Sequence, residues 1–202
     1  MHMVCLDLEG GLVPEIWIAF SEATGIPELR RTTRDEPDYD KLMRFRLDIL
    51  AKNNLKLADI QKVISGMDPL PGAALFTKAV KERTQLIILS DTFEQFANPL
   101  MIKLDRPVLL CNSLEVADDG SVTGYRLRQK NGKMEAVKAF KSLNLKVFAG
   151  GDSFNDLAMI REAKTGCLFR APESIRKDCA DLPCVDTYDE LLQQIELFLT
   201  SS

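Results

Sequence analysis

Histidine is almost missing from this 202-residue chain; the single one is His2. At the frayed start of the chain it reads as a terminal residue, and a zinc site is not expected. The five cysteines (Cys5, Cys111, Cys167, Cys179 and Cys184) are odd in number, scattered and without a CxxC pair. Three of them stand in apolar runs, which fits reduced thiols in a cytoplasmic protein better than a disulfide frame. No basic stretch followed by a long apolar one opens the chain, so no signal peptide is expected. Nor does any apolar run reach the roughly 20 residues that span a bilayer. A net charge of −4 gives no basic footprint for nucleic acid. The local cluster Arg30, Arg31 and Arg34 is followed at once by Asp35, Glu36, Asp38 and Asp40, and reads as a solvated face of mixed charge. Neither an internal repeat nor a low-complexity tract is present. What remains is an ordinary globular composition, 46% hydrophobic and 28% charged, enough for one domain with a modest insertion.

The apolar pattern divides the chain. A short apolar strand ends in "CLDLEG" (5–10), which places Asp7 and Glu9 on one side of a strand, where like charges crowd each other. Residues 14 to about 70 read as helical. Ile16, Ala19, Phe20 and Ala23 recur at helical spacing after Pro14 and stop at Gly25, a second helix runs from about Asp38 to Lys52, and a third carries Leu57, Ile60, Val63 and Ile64. "PLPG" (69–72) breaks the chain, and strands then alternate with helices. A helix over about Ala73–Arg83 leads to strand "LIIL" (86–89), then "VLLC" (108–111). A hairpin over 114–128 turns at Asp119-Gly120. Helix Lys133–Leu143, strand "KVFA" (146–149), helix Asn155–Ala163 and strand "GCLF" (166–169) follow, with a short strand near Val185 and a helix through 188–199. Short apolar strands joined by helices predict a parallel sheet covered on both faces, an α/β fold, with the helical block inserted after the first strand as a lid. The expected division is a core of 1–13 and 72–202 and a helical cap of 14–71.

Open α/β sheets bind ligands outside the carboxyl ends of their strands. Four such places carry polar chemistry: "DLEGG" with Asp7 and Glu9, "LSDT" with Ser90, Asp91 and Thr92, Lys133 at a helix start, and "GGDSFND" with Asp152, Asn155 and Asp156. Phosphoryl transfer needs that set. Carboxylates hold Mg²⁺, one of them can attack phosphorus, and a hydroxyl, backbone N–H groups and a lysine hold the oxygens over which charge spreads. A divalent cation would also make the crowded Asp7–Glu9 pair tolerable. Taken singly, each motif is also an ordinary strand end, helix cap or surface lysine. The joint order, acid, hydroxyl, lysine, acid, points to a phosphoryl-transfer site.

That order resembles the four motifs of the haloacid dehalogenase phosphatases, whose Rossmann-like core carries a helical-bundle cap inserted after the first strand. "DLEGGLVPE", "PDYD", "LSDTF", "LRQK" and "AGGDSFND" resemble the phosphoserine phosphatase branch, and most closely its bifunctional phosphatase/homoserine phosphotransferase group. The resemblance implies Asp7 as nucleophile and Glu9 as acid–base residue, with the Glu9 backbone carbonyl reaching the metal. Ser90 would bind the phosphoryl group, with Asp91 and Thr92 beside it, and Lys133 would neutralise the aspartyl-phosphate. Asp152 would ligate Mg²⁺, while Asn155 and Asp156 complete the metal and phosphate shell. Glu15 and Arg46 would grip the ammonium and carboxylate of a serine substrate, although Glu15 is offset by one residue and also reads as a first-turn acid, and Arg46 as an ordinary exposed helix residue. Trp17, Phe20, Met101 and Met159 are expected in the core. Most relatives have aspartate where Glu9 stands and a glycine pair where this chain has Asp91-Thr92. Two other functions stay open: a phosphatase of nucleotide or sugar phosphates, and a phospho-receiver signalling module. Monomer and homodimer are both compatible with the sequence.

Overall fold

The computed structural model describes residues 1–33, 35, 36 and 38–201. Arg34 of the mixed-charge cluster and Pro37 of "PDYD" lie outside the described residues. The chain opens with β1 (His2–Leu6), followed by α1 (Ile16–Thr24), α2 (Tyr39–Lys52), α3 (Leu57–Ser65) and α4 (Ala73–Arg83). Then come β2 (Gln85–Phe93), α5 (Glu94–Lys103), β3 (Val108–Val116), β4 (Val122–Arg126), α6 (Gly132–Ser142) and β5 (Lys146–Gly151). The chain closes with α7 (Leu157–Glu162), β6 (Thr165–Phe169), α8 (Glu173–Asp178), β7 (Cys184–Val185) and α9 (Tyr188–Thr200). Single 3-10 turns at Pro27–Arg30 and Phe154–Asp156 replace stretches that periodicity assigns to helix or leaves plain.

Among the described residues the strands form one sheet in the order β4-β3-β2-β1-β5-β6-β7. All neighbouring pairs are parallel except β3 and β4, the expected hairpin. The α/β architecture is therefore as the pattern predicts. β1 is central because it is apolar from Met3 to Leu6 and covered on both faces, with Val4 and Cys5 wholly buried. One apolar cluster covers one face and continues without a break into the helical segment, from Val4 and Phe148 through Phe93, Phe96 and Trp17 to Leu29, Met43 and Ile60. The other face packs against α6, α7 and α8 through Val137, Met159 and Ile175. Phe20, Met101 and Met159 lie in these clusters as expected.

Three local expectations change. His2 is not frayed: it pairs with Lys146 in the sheet, and its ring meets Phe198 edge-on at 5.0 Å. β2 does not stop at Leu89 but runs on through "SDTF", because its register against β3 shifts between Leu89 and Phe93 and pairing resumes at Phe93–Asn112. Trp17 is packed as core, yet it also lines a cavity, described next.

Candidate active site

Residues of the helical segment and the carboxyl ends of β1, β2 and β5 enclose a cavity of about 80 Å³. β1 delivers Asp7, whose N–H donates to the Gly150 carbonyl at 3.0 Å and so locks the strand end beside β5. Gly10, at φ +76°, brings the loop against the Asp152 carboxylate; a Cβ there would lie 2.6 Å from Oδ2, so the approach requires glycine. Asp7, Asp152 and Asp156 each offer a carboxylate oxygen within 4.8 Å of the others.

Lys133 ties this group together. It is 6% exposed, donates to Asp156 Oδ1 at 2.7 Å, and lies 2.9 Å from Asp7 Oδ1 and 3.7 Å from Asp91 Oδ2. Burial works against its charge, but the carboxylates of Asp156, Asp7 and Asp91 outweigh it and raise its pKa well above the ordinary lysine value. Asp156 is fully buried, and its other oxygen accepts from the N–H groups of Asp152 (3.1 Å) and Ser153 (3.0 Å) and from the Ser153 hydroxyl (2.8 Å). Asp7 is also shifted upward: burial, with the Asp156 charge behind it, raises its pKa well above the ordinary aspartate value despite Lys133.

Glu9 is held at the start of α1 rather than in the aspartate cluster. Its Oε2 accepts from the Ile16 N–H at 2.9 Å, at the start of α1, where a carboxylate complements the helix N-terminus. Burial and then the Glu15 charge raise it to about 7, against that hydrogen bond and Arg46. Its side chain is therefore not among the clustered metal-type ligands. Across the cavity Arg46 is 6% exposed rather than the exposed helix residue its sequence position also allows. It stacks over Trp17 at 4.5 Å and donates to the Arg31 carbonyl at 2.8 Å, while its buried Nε has no hydrogen-bond partner among the described residues. Burial lowers its pKa to about 10, and the Glu9 charge limits the fall.

Every expected site residue except Asp156 lines this cavity: Asp7, Glu9, Glu15, Arg46, Ser90, Asp91, Thr92, Lys133, Asp152 and Asn155. Asp156 stands behind it, bonded to Lys133. Trp17, Thr32, Thr33, Tyr39 and Ser153 line it as well. Of these, Ser153 and Tyr39 lie inside motifs singled out in the sequence, whereas Thr32 and Thr33 carry no signal that spacing could reveal.

Known proteins bear on this arrangement. Phosphoserine phosphatase ThrH of Pseudomonas aeruginosa is 54% identical over 194 residues, covering 96% of this chain and 95% of that protein. This chain belongs to the phosphoserine phosphatase family. A phosphoserine phosphatase of Pseudomonas syringae pv. tomato is 53% identical over 194 residues, covering 96% of this chain and 82% of that one. Among solved structures, a phospho-aspartyl intermediate analogue of phosphoserine phosphatase superposes with a TM-score of 0.78 at 24% identity, over 95% of this chain and 97% of that one. At that identity it supports the haloacid dehalogenase type of fold. No protein-family model matches the chain.

The family places the cluster in context. Six carboxylates among the described residues (Asp7, Glu9, Glu15, Asp91, Asp152 and Asp156) face two cations, Arg46 and Lys133. An all-oxygen set with a surplus of negative charge and no histidine or thiolate suits a hard divalent cation.

Proposed function

We propose that this chain is a Mg²⁺-dependent phosphatase of O-phosphoserine that works through an aspartyl-phosphate on Asp7 and also passes the phosphoryl group to homoserine. The names of the two Pseudomonas relatives support the substrate. The observation that carries the reading is the pairing of a phosphoryl-type corner, Asp7 with Lys133 at 2.9 Å, with the buried Arg46 guanidinium that lines the same cavity. A phosphate monoester bearing a carboxylate fits both ends.

The residues divide the work in two steps. In the first, an Asp7 oxygen bonds to phosphorus as the serine oxygen leaves, and Glu9 gives that oxygen its proton. In the second, water or the homoserine hydroxyl bonds to phosphorus, the Asp7–phosphorus link breaks, and Glu9 takes the incoming proton. A Glu9 pKa of about 7 suits a group that must both give and accept a proton near neutrality. Ser90 and Lys133 hold phosphoryl oxygens, Arg46 the carboxylate and Glu15 the ammonium of the amino acid. Asp7, Asp152 and Asp156, with the main-chain carbonyl of Glu9, would hold Mg²⁺, which when bound would neutralise phosphoryl charge. In this reading residues 14–71 act as a cap that keeps water from the first step. The free cysteines support a cytoplasmic setting.

Incubation with phosphoserine, homoserine and Mg²⁺, followed by mass detection, tests the proposal. Serine with phosphate establishes the phosphatase, and phosphohomoserine the transfer. Neither product, or equal turnover of unrelated phosphomonoesters, would refute the amino-acid assignment.

A further inference from the structure

A second, larger cavity of about 480 Å³ adjoins the first. The two share Thr33, Tyr39, Asp91, Lys133, Ser153 and Asn155 as a partition. Asp91 is the unexplained member of that wall. A carboxylate 3.7 Å from Lys133 competes for the cation and repels a phosphoryl dianion, so phosphate hydrolysis alone gives no reason for it. Unlike Asp152 and Asp156 it is not buried; its side chain is 41% exposed.

The protein nevertheless holds it firmly. Its carbonyl accepts from the Tyr39 hydroxyl at 2.9 Å and from Asn112 Nδ2 at 3.1 Å, and its carboxylate accepts from Asn155 Nδ2 at 2.7 Å. Among the described residues lining the larger cavity, Asp91 is the only acid. Lys130 lines the larger cavity and not the smaller one, so a cation stands on the outer side of the partition acid. Leu127, Met134, Phe154 and Ala158 supply apolar wall, with Phe154 and Leu127 exposed at 53% and 44%.

We infer that the larger cavity is a second amino-acid subsite. It takes a short zwitterionic hydroxy-amino acid, its ammonium on Asp91, its carboxylate on Lys130 and its carbon stem on Met134 and Phe154. The opposite charges of Asp91 and Lys130 in one lining match both charged groups of such a ligand, and the apolar wall suits a short stem. The subsite gives the acid at the partition a purpose: it holds an acceptor next to the catalytic cavity while that cavity is occupied. This inference rests on the proposed function, since only a transferase needs a waiting acceptor.

Calorimetry on the Asp7→Asn chain with Mg²⁺ separates the two. A first titration with phosphoserine tests the smaller cavity; absence of binding there counts against the proposed function. A second titration, with L-homoserine into the chain saturated with phosphoserine, tests the subsite. The expected result is one further molecule bound per chain, with an affinity independent of phosphoserine concentration. Loss of either charged group of the ligand, in 4-hydroxybutyrate or 3-aminopropanol, is expected to weaken binding ~10-fold, as is Lys130→Ala, each removing a charge-assisted contact. Homoserine that binds only by displacing phosphoserine, or that binds as well without its amine or without Lys130, overturns the inference.

Discussion

Lys133 shows how far a residue's role depends on what folding brings to it. In the sequence it stands in "RQKNGKMEAVK", among charges typical of a solvated helix. In the structure it is buried between Asp7 and Asp156, residues 126 and 23 positions away. Only the joint order of motifs hinted at this, because burial of a helix start against the ends of central strands leaves no local mark. Asp7 and Glu9 were easier to read, since two acids behind an apolar run are costly without a reason. The proposed mechanism gives them distinct tasks. Asp7→Asn is expected to abolish phosphate release while circular dichroism stays unchanged, because an amide of the same size cannot attack phosphorus. Glu9→Gln keeps the Ile16 N–H satisfied through its amide oxygen and removes only the proton, so turnover is expected to fall ~10²–10⁴-fold. Arg46 supplies the third residue-scale prediction. Replacing it with alanine removes the guanidinium facing the cavity, worth ~1.5–3 kcal/mol toward a carboxylate, and KM for phosphoserine is expected to rise ~10–100-fold. Phosphoethanolamine lacks that carboxylate, so its KM should stay within a few-fold; a parallel rise for both would mean that Arg46 only supports the wall.

At the scale of elements, the helical segment is tied to the β3–β4 hairpin as well as packed on α5. The Tyr39 ring meets Tyr125 edge-on at 5.8 Å, the Tyr125 hydroxyl donates to Asp40 Oδ1 at 2.6 Å, and the Leu57 N–H donates to the Gly120 carbonyl at 3.0 Å. Lys56 Nζ donates to the Asp119 carbonyl at 2.8 Å and to its carboxylate at 3.0 Å. The hairpin itself was legible, because Asp-Gly between alternating residues is a strong turn signal. Its contact with the helices was not, since pairing of residues 63 positions apart has no periodicity to read. The same limit explains β2, whose extension through "SDTF" depends on a partner strand. The clamp is testable through Asp119. Hydrogen bonds from Ser121 N–H and then from Lys56 lower its pKa to about 2. A carboxyl lowered on folding stabilises the folded form above its ordinary value of about 3.9, and this contribution disappears as pH falls through about 2. The Asp119 carboxyl carbon resonance should therefore titrate near 2, and in Lys56→Ala it should move upward toward the ordinary value. An Asp119 that titrates normally in the parent chain would mean the hairpin is not clamped in solution.

Over the whole molecule, charge is distributed very unevenly. Six site carboxylates against two cations leave, when all are ionised, an excess of four, as large as the chain's entire net charge of −4. The rest of the surface is thus nearly balanced, and the repulsion is gathered where the strands end. Apolar packing shared between sheet and helical segment has to hold that repulsion in place. A ligand that binds only the folded arrangement adds stability by mass action, about 2.7 kcal/mol at 100 times its Kd. For a chain of 202 residues this corresponds to a rise in Tm of about 5–10 °C. Mg²⁺ at such a concentration is expected to produce that shift, measured by calorimetry or dye-free fluorescence. General screening is the competing cause, and it acts through ionic strength rather than through particular oxygens. NaCl at matched ionic strength should therefore give little of the rise, and Asp152→Asn, which removes one of the three clustered carboxylates, should lose most of it. A rise reproduced by NaCl, or retained in Asp152→Asn, would show the excess to be screened from outside rather than neutralised by an ion held between Asp7 and Asp152.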